Sequence, residues 1–206
     1  MSLDAFYTPQ DLALSLVFCL PIRPGDIVME PSVGGGAWLQ AVHQVHPRTY
    51  RVAMDIDEQA PGLHLGPKVV DEARVGDFLT WRPKAWTAAP HWIVGNPPYS
   101  RDADMEHVAH ALRVVREGGN VAMLLHLSFL ASAGRWHSLF RSRRPRGVVV
   151  LPNRVRFGGP ADLGMAGKRD SALVWWDLSW SGPTSLAWLD PATMIVDWSG
   201  RALPQE

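Results

Sequence analysis

Short apolar runs recur along this chain at intervals too long for hairpins, and that spacing restricts the fold more than any other feature. Residues 26–30 (DIVME), 50–55 (YRVAMD), a segment within 68–75 and 91–95 (HWIVG) have strand length and composition. Residues 37–45 and 105–117 carry apolar positions at helical spacing, and Gly118-Gly119 stops the second of these. Runs at 120–125 and 147–151, a helix near 131–141, and an antiparallel closing strand in 171–180 (SALVWWDLSW) continue the alternation. Parallel neighbours need a crossover, usually a helix, so the pattern predicts an α/β fold with helices on both faces of a mostly parallel sheet. With 206 residues, 47% of them hydrophobic, the chain is long enough to bury its own core. Residues 1–180 are expected to form one domain, with 181–206 a short C-terminal extension read as a hairpin of 186–189 with 194–198.

Cys19 is the only cysteine, which excludes an internal disulfide and a cysteine-rich zinc site; no metal is expected. The apolar run 12–22 is short, follows Asp4 and Asp11, and lacks a basic leader, so it does not read as a signal peptide. No stretch approaches the roughly 20 apolar residues of a membrane span. A cytoplasmic location is expected. The formal net charge of zero conceals an asymmetry. Residues 118–161 hold no acid but carry Arg135, Arg141, Arg143, Arg144, Arg146, Arg154 and Arg156, the footprint of a phosphate-bearing partner or of a solvated face.

The motifs fall where strands should end. "MEPSVGGGAWL" places Glu30, Pro31 and a glycine loop (Gly34, Gly35, Gly36) between a strand and a helix, where open α/β sheets bind nucleotides. It has neither the G-x-G-x-x-G spacing nor the Lys-Ser/Thr of a phosphate loop, and its leading acid suits a cationic or amine-bearing ligand. Asp55, followed by Ile56, ends the second run, where an acid commonly accepts ribose hydroxyls. Asp77, beside Phe78, follows the third, where a carboxylate can take an exocyclic amine while the ring packs on a base. "VGNPPYS" ends the fourth run on Asn96-Pro97-Pro98-Tyr99. Two prolines cannot continue a sheet ladder, so the strand stops and a polar side chain, a freed carbonyl and a ring are presented together.

With Glu30, Asp55, Asp77 and Asn96-Pro97-Pro98-Tyr99 in this order, the chain resembles S-adenosylmethionine-dependent DNA adenine-N6 methyltransferases. "FYTP" (Phe6 to Pro9) is similar to the cofactor motif that comes first in the gamma-ordered members. The resemblance covers about residues 5–178. It implies a Rossmann-like methyltransferase fold: a mostly parallel seven-stranded sheet with one antiparallel strand. It implies that Tyr7, Thr8, Pro9, Glu30, Pro31, Gly34, Gly36, Asp55, Ile56, Asp77, Phe78 and Asn96 contact S-adenosyl-L-methionine. It also implies that Asn96, Pro97, Pro98 and Tyr99 act on the target amine. Phe157 in "NRVRFGG" matches the family's base-stacking aromatic. Asp55 stands where many relatives carry Glu, with the same charge and a shorter reach.

The chemistry is consistent with these residue types. The exocyclic nitrogen of adenine is a poor nucleophile, and acceptors at Asn96 Oδ1 and the Pro97 carbonyl favour a pyramidal nitrogen, so catalysis is positioning plus electrostatics. Tyr99 and Phe157 would sandwich a base taken out of a duplex, with stacking worth roughly 1–3 kcal/mol per base against an unstacking cost of a few kcal/mol. Arg141, Arg143, Arg144, Arg154 and Arg156 would meet phosphates of DNA, duplex or single-stranded. About 26 residues follow Trp180, so low or short sequence specificity, or specificity lent by a partner, is expected. RNA adenine and protein glutamine amide are alternative substrates, because all three offer a planar NH2. A silent cofactor-binding or nucleic-acid-binding subunit is a further alternative, against which the intact tetrapeptide and Glu30 weigh.

Overall fold

In the computed structural model, residues 6–84, 88–158 and 170–196 are described. The strands are β1 (Ile27–Glu30), β2 (Tyr50–Asp55), β3 (Glu72–Val75), β4 (Trp92–Gly95), β5 (Asn120–His126), β6 (Gly147–Val150), β7 (Ser171–Asp177) and β8 (Ser185–Trp188). The helices are α1 (Gln10–Phe18), α2 (Ala37–Val45), α3 (Ala103–Val114) and the short α4 (Ala133–Arg135), which runs into a π-helical turn over Trp136–Phe140. The strands form one sheet of order β3-β2-β1-β4-β5-β7-β6-β8. From β3 to β5 every pairing is parallel, and β7 lies antiparallel to both β5 and β6.

Eight strands rather than seven build the sheet. Ser185–Trp188, expected in the hairpin of the extension, instead pairs parallel with β6 as an edge strand. Only the antiparallel bridge Leu189–Val196 meets the hairpin expectation, and residues 197–198 lie outside the described ones. The apolar run 12–22 is in large part α1, whose Leu12, Ala13, Leu16 and Val17 are buried. The helix expected near 131–141 is mostly the π turn.

Each face of the sheet has its own core, because strand side chains alternate. On one face Val28, Val94, Ala122, Leu124 and Trp175 pack under α1 and α2. On the other, Ile93, Val121, Met123, Leu125 and Trp176 pack under Val108, Ala111 and Leu112 of α3. The neighbours Trp175 and Trp176 thus enter opposite cores, as alternation in a strand requires. The chain moves outward from β1 to β2 and β3, then returns to place β4 on the other side of β1. That reversal between β1 and β4 is the topological switch point, where open α/β sheets form a ligand crevice at the carboxyl ends of their strands.

Candidate active site at the carboxyl edge

Glu30 ends β1 and Asn96 follows β4, and the two strands are paired through Val28–Trp92 and Met29–Ile93. Both residues line one narrow cavity with Tyr7, Thr8, the glycine loop and Trp38. The Glu30 carboxylate is 2% exposed. Its Oε2 accepts from the Leu39 amide (3.3 Å) in the first turn of α2, whose cap residue Gly36 has no side chain to offer. Burial pushes the carboxyl well up; the Leu39 amide opposes the shift and the charge of Asp55 adds to it. Among the described residues no cation pairs with Glu30.

The glycine loop is shaped by what lies over it. Gly36 has φ +81°, and a Cβ there would come within 2.4 Å of Leu65 Cδ1. At Gly34 (φ +46°) a Cβ would stand 2.8 Å from the Tyr7 ring. The "FYTP" segment therefore packs its tyrosine on the loop, where the absence of side chains makes room. Asp55 fastens the loop: Oδ2 accepts from Gly34 N (2.9 Å) and Oδ1 from Asp57 N (3.0 Å). Each carboxylate oxygen keeps a free lone pair, so the same group retains capacity for ribose hydroxyls. Burial raises the Tyr7 phenol, and Asp55 and Asp57 add to the shift.

The segment 6–9 makes further ties. The Phe6 carbonyl accepts from Asn96 Nδ2 (2.9 Å), which sets which end of the amide is oxygen. Thr8 Oγ1 accepts from Trp38 Nε1 (3.2 Å), both groups buried. Tyr7 and Gly158 exchange two backbone bonds of 2.8 Å. Pro9 is the cap residue of α1 and its carbonyl accepts from Ala13 N (3.0 Å). Nothing in the sequence marks Phe6, Trp38, Leu39 and Gly158 for these roles, since backbone bonds and a buried indole leave no trace in residue type.

At the tetrapeptide, Pro97 is buried and Pro98 half-buried. The Tyr99 hydroxyl is hydrogen-bonded to Asn96 Oδ1 and to the Leu124 carbonyl (3.0 Å), and its single proton serves one acceptor at a time. Burial pushes this phenol far up, and Asp104 contributes. The Tyr99 ring packs on His126, 4.1 Å between centroids, a residue at the end of β5 that no sequence motif singles out. Phe157 reaches the same place, but its ring is 6.5 Å from Tyr99 at 58° and 6.0 Å from Phe6. The Tyr99 and Phe157 rings are tilted to each other rather than parallel. A base between parallel rings needs about 3.5 Å on each side, so a base stacked on both rings would need them turned toward parallel.

Three further expectations are corrected or narrowed. Phe78 does not present its ring as a platform; it is 2% exposed and packs on Trp81, His107 and His110. Asp77 is exposed but caps the following 3-10 turn through Leu79 N (2.9 Å), while Ile56 is exposed beside Asp55. Arg141, Arg143 and Arg144 precede β6, at the opposite end of the sheet from Asn96, whereas Arg154 and Arg156 follow it near Phe157. A four-residue strand separates two groups that look continuous in sequence. Arg154 lies 3.5 Å from Asp170.

Among the described residues no cluster of His, Cys, Asp or Glu can hold a metal, and no helix is long and apolar enough to cross a membrane. No family model matches the sequence. The chain is 35% identical over 117 residues to the type II methyltransferase M.TthHB8I of Thermus thermophilus, a match covering 56% of this chain and 26% of that protein. The chain thus spans about a quarter of the length of that curated relative. Among solved structures it is similar to one described as a class I S-adenosylmethionine-dependent methyltransferase from Listeria monocytogenes: TM-score 0.68, 13% identity, 94% of this chain and 68% of that one. A type I restriction-modification methyltransferase subunit from Streptococcus thermophilus is also similar, with TM-score 0.63 and 14% identity over 90% of this chain and 47% of the other. The fold is the Rossmann-like methyltransferase fold.

Proposed function

We propose that this chain carries the catalytic core of an S-adenosylmethionine-dependent methyltransferase acting on the N6 amine of adenine in DNA. One observation carries the reading: Glu30 and the glycine loop line the same cavity as Asn96, at the switch point of the sheet. A buried carboxylate without a cation suits the ammonium group of the cofactor, and the side-chain-free loop would take its methionine portion in place of the Tyr7 ring that packs on it here. Asp55 would take the ribose, with Ile56 and Asp77 toward the adenine. The bound cofactor supplies an electrophilic methyl group on a sulfonium.

The residues of the chain then act on the nucleophile. With Nδ2 held by the Phe6 carbonyl, Asn96 offers Oδ1 to the incoming amine, and the Pro97 carbonyl offers a second acceptor. Two hydrogen bonds to these acceptors orient the nitrogen lone pair toward the methyl group. Once the amine had taken the methyl group that the cofactor would supply, the extra proton on nitrogen would leave to water. The Tyr99 hydroxyl occupies Asn96 Oδ1 in this state, so productive binding directs its proton to Leu124 O.

Transfer of labelled methyl from the cofactor to DNA, RNA and protein in parallel, followed by nucleoside and amino-acid analysis, tests the reading. N6-methyladenine in DNA is expected. Product only in RNA or at a glutamine amide would overturn the choice of substrate, and no transfer to any of the three would overturn catalysis. Asn96→Ala is expected to abolish transfer while leaving cofactor affinity within a few fold.

A further inference from the structure

Five arginines from two separate segments converge on a broad groove at the amino edge of the sheet. Arg113 and Arg116 come from the end of α3 and the turn after it, and Arg141, Arg143 and Arg144 from the loop before β6. The groove has about 830 Å³ of open volume. Among the described residues none of the five is ion-paired. Two acids lie on its wall, and one of them, Asp177, is held by Arg146 at 2.6 Å. Arg146 is itself packed against Trp175 and Trp180, 4.6 Å from each ring, which fixes that wall. Arg143 Nη1 bonds the Leu112 carbonyl (3.1 Å) near the end of α3, tying the basic loop to the helix. Five guanidinium groups outnumber the two acids beside them and repel one another, and a bound polyanion relieves that cost.

We infer that this groove is a second nucleic-acid surface, which binds the phosphate backbone at a stretch other than the one entering the active site. The seven residues of β5 run from this edge to the catalytic one, a span of about 20 Å, so one nucleotide cannot serve both. Guanidinium groups bind phosphate oxygens bidentately and read no base, so the surface adds affinity and register without sequence information. The choice of nucleic acid as the polyanion rests on the function proposed above; the groove itself does not.

The test is binding of fluorescein-labelled duplex DNA to the full chain across a salt series, measured by anisotropy. Two variants are compared: Arg113→Gln/Arg116→Gln/Arg141→Gln/Arg144→Gln, and the loop pair Arg141→Gln/Arg144→Gln as a milder form. Each phosphate that is no longer neutralised should reduce the slope of log affinity against log salt by about 0.9, and low-salt affinity should fall at least tenfold in the fourfold variant. The matching Arg→Lys variants should restore binding, since phosphate attraction needs the charge. Unchanged affinity and slope, or lysine variants as weak as glutamine ones, would overturn the groove. If duplex binding drops in the variants but wild-type protein transfers no methyl to DNA, the groove stands and the proposed reaction fails.

Discussion

Glu30→Gln separates charge from shape at the centre of the site. Glutamine keeps the volume and can keep the acceptor for the Leu39 amide, but removes the negative charge that burial makes costly. Without cofactor the variant should therefore be at least as stable as the wild type. The sign is set by the direction of the shift. A carboxyl raised above its unfolded value contributes stability at low pH, and that contribution is lost as pH rises through its folded pKa. The melting temperature of the wild type should thus fall below that of the variant in neutral to alkaline solution, and the gap should narrow toward acid.

Cofactor binding should move the opposite way. Removing one partner of a buried, hydrogen-bonded charge pair costs about 2–5 kcal/mol. Retention of the Leu39 bond favours the lower half, so affinity should weaken by roughly 30- to 300-fold, at about 1.4 kcal/mol per tenfold. An ammonium beside Glu30 pulls its raised pKa back down, so binding below that raised value releases a proton. Wild-type affinity should strengthen with pH and then level off, while that of the variant stays flat. Titration calorimetry in two buffers of different ionisation enthalpy reads both affinity and proton release. A Gln variant within threefold of wild type, or binding with no proton release at any pH, would refute the assignment of Glu30 to a cationic group.

Other changes follow from the same geometry. Gly36→Ala forces a side chain into a left-handed position, about 1–2 kcal/mol, and against Leu65, about 1–3 kcal/mol more; at about 2–4 °C per kcal/mol its melting temperature should drop by roughly 4–20 °C. Thr8→Val leaves the buried Trp38 Nε1 without its acceptor, roughly 1–3 kcal/mol by thermal denaturation, and Thr8→Ser should recover most of it. Tyr99→Phe keeps the ring on His126 but frees Asn96 Oδ1, so the single-turnover rate should stay within about tenfold of wild type while stability falls by about 1 kcal/mol; loss of all activity would make the hydroxyl part of the chemistry.

Much of this architecture is legible because strand ends and ligand contacts coincide in an open α/β sheet. Residues 50–55 form β2 as expected, and the helix over 37–45 has its expected bounds, since periodicity and glycine punctuation agree there. Pro97 and Pro98 alone suffice to place Asn96 at a strand end. What is not legible depends on packing between segments distant in sequence. Phe78 has the residue type of a platform and the burial of a core residue, a choice made by Trp81 and His110. The arginines form one block in sequence and two in space, because composition carries no record of the strand that runs between them. Leu186 and Trp188 are more than half exposed while Ala187 and Leu189 are buried, so both faces of β8 carry apolar residues and no polar–apolar alternation marks that edge strand in the sequence.

The segment 6–9 meets both halves of the proposed site. Its tyrosine lies on the cofactor loop, its phenylalanine carbonyl orients Asn96, and its backbone bridges to Gly158 beside Phe157. No element of regular structure joins the glycine loop after β1 to the loop after β6; these few residues do. One segment of four residues thus links the glycine loop after β1 to Asn96 and to the loop that carries Phe157.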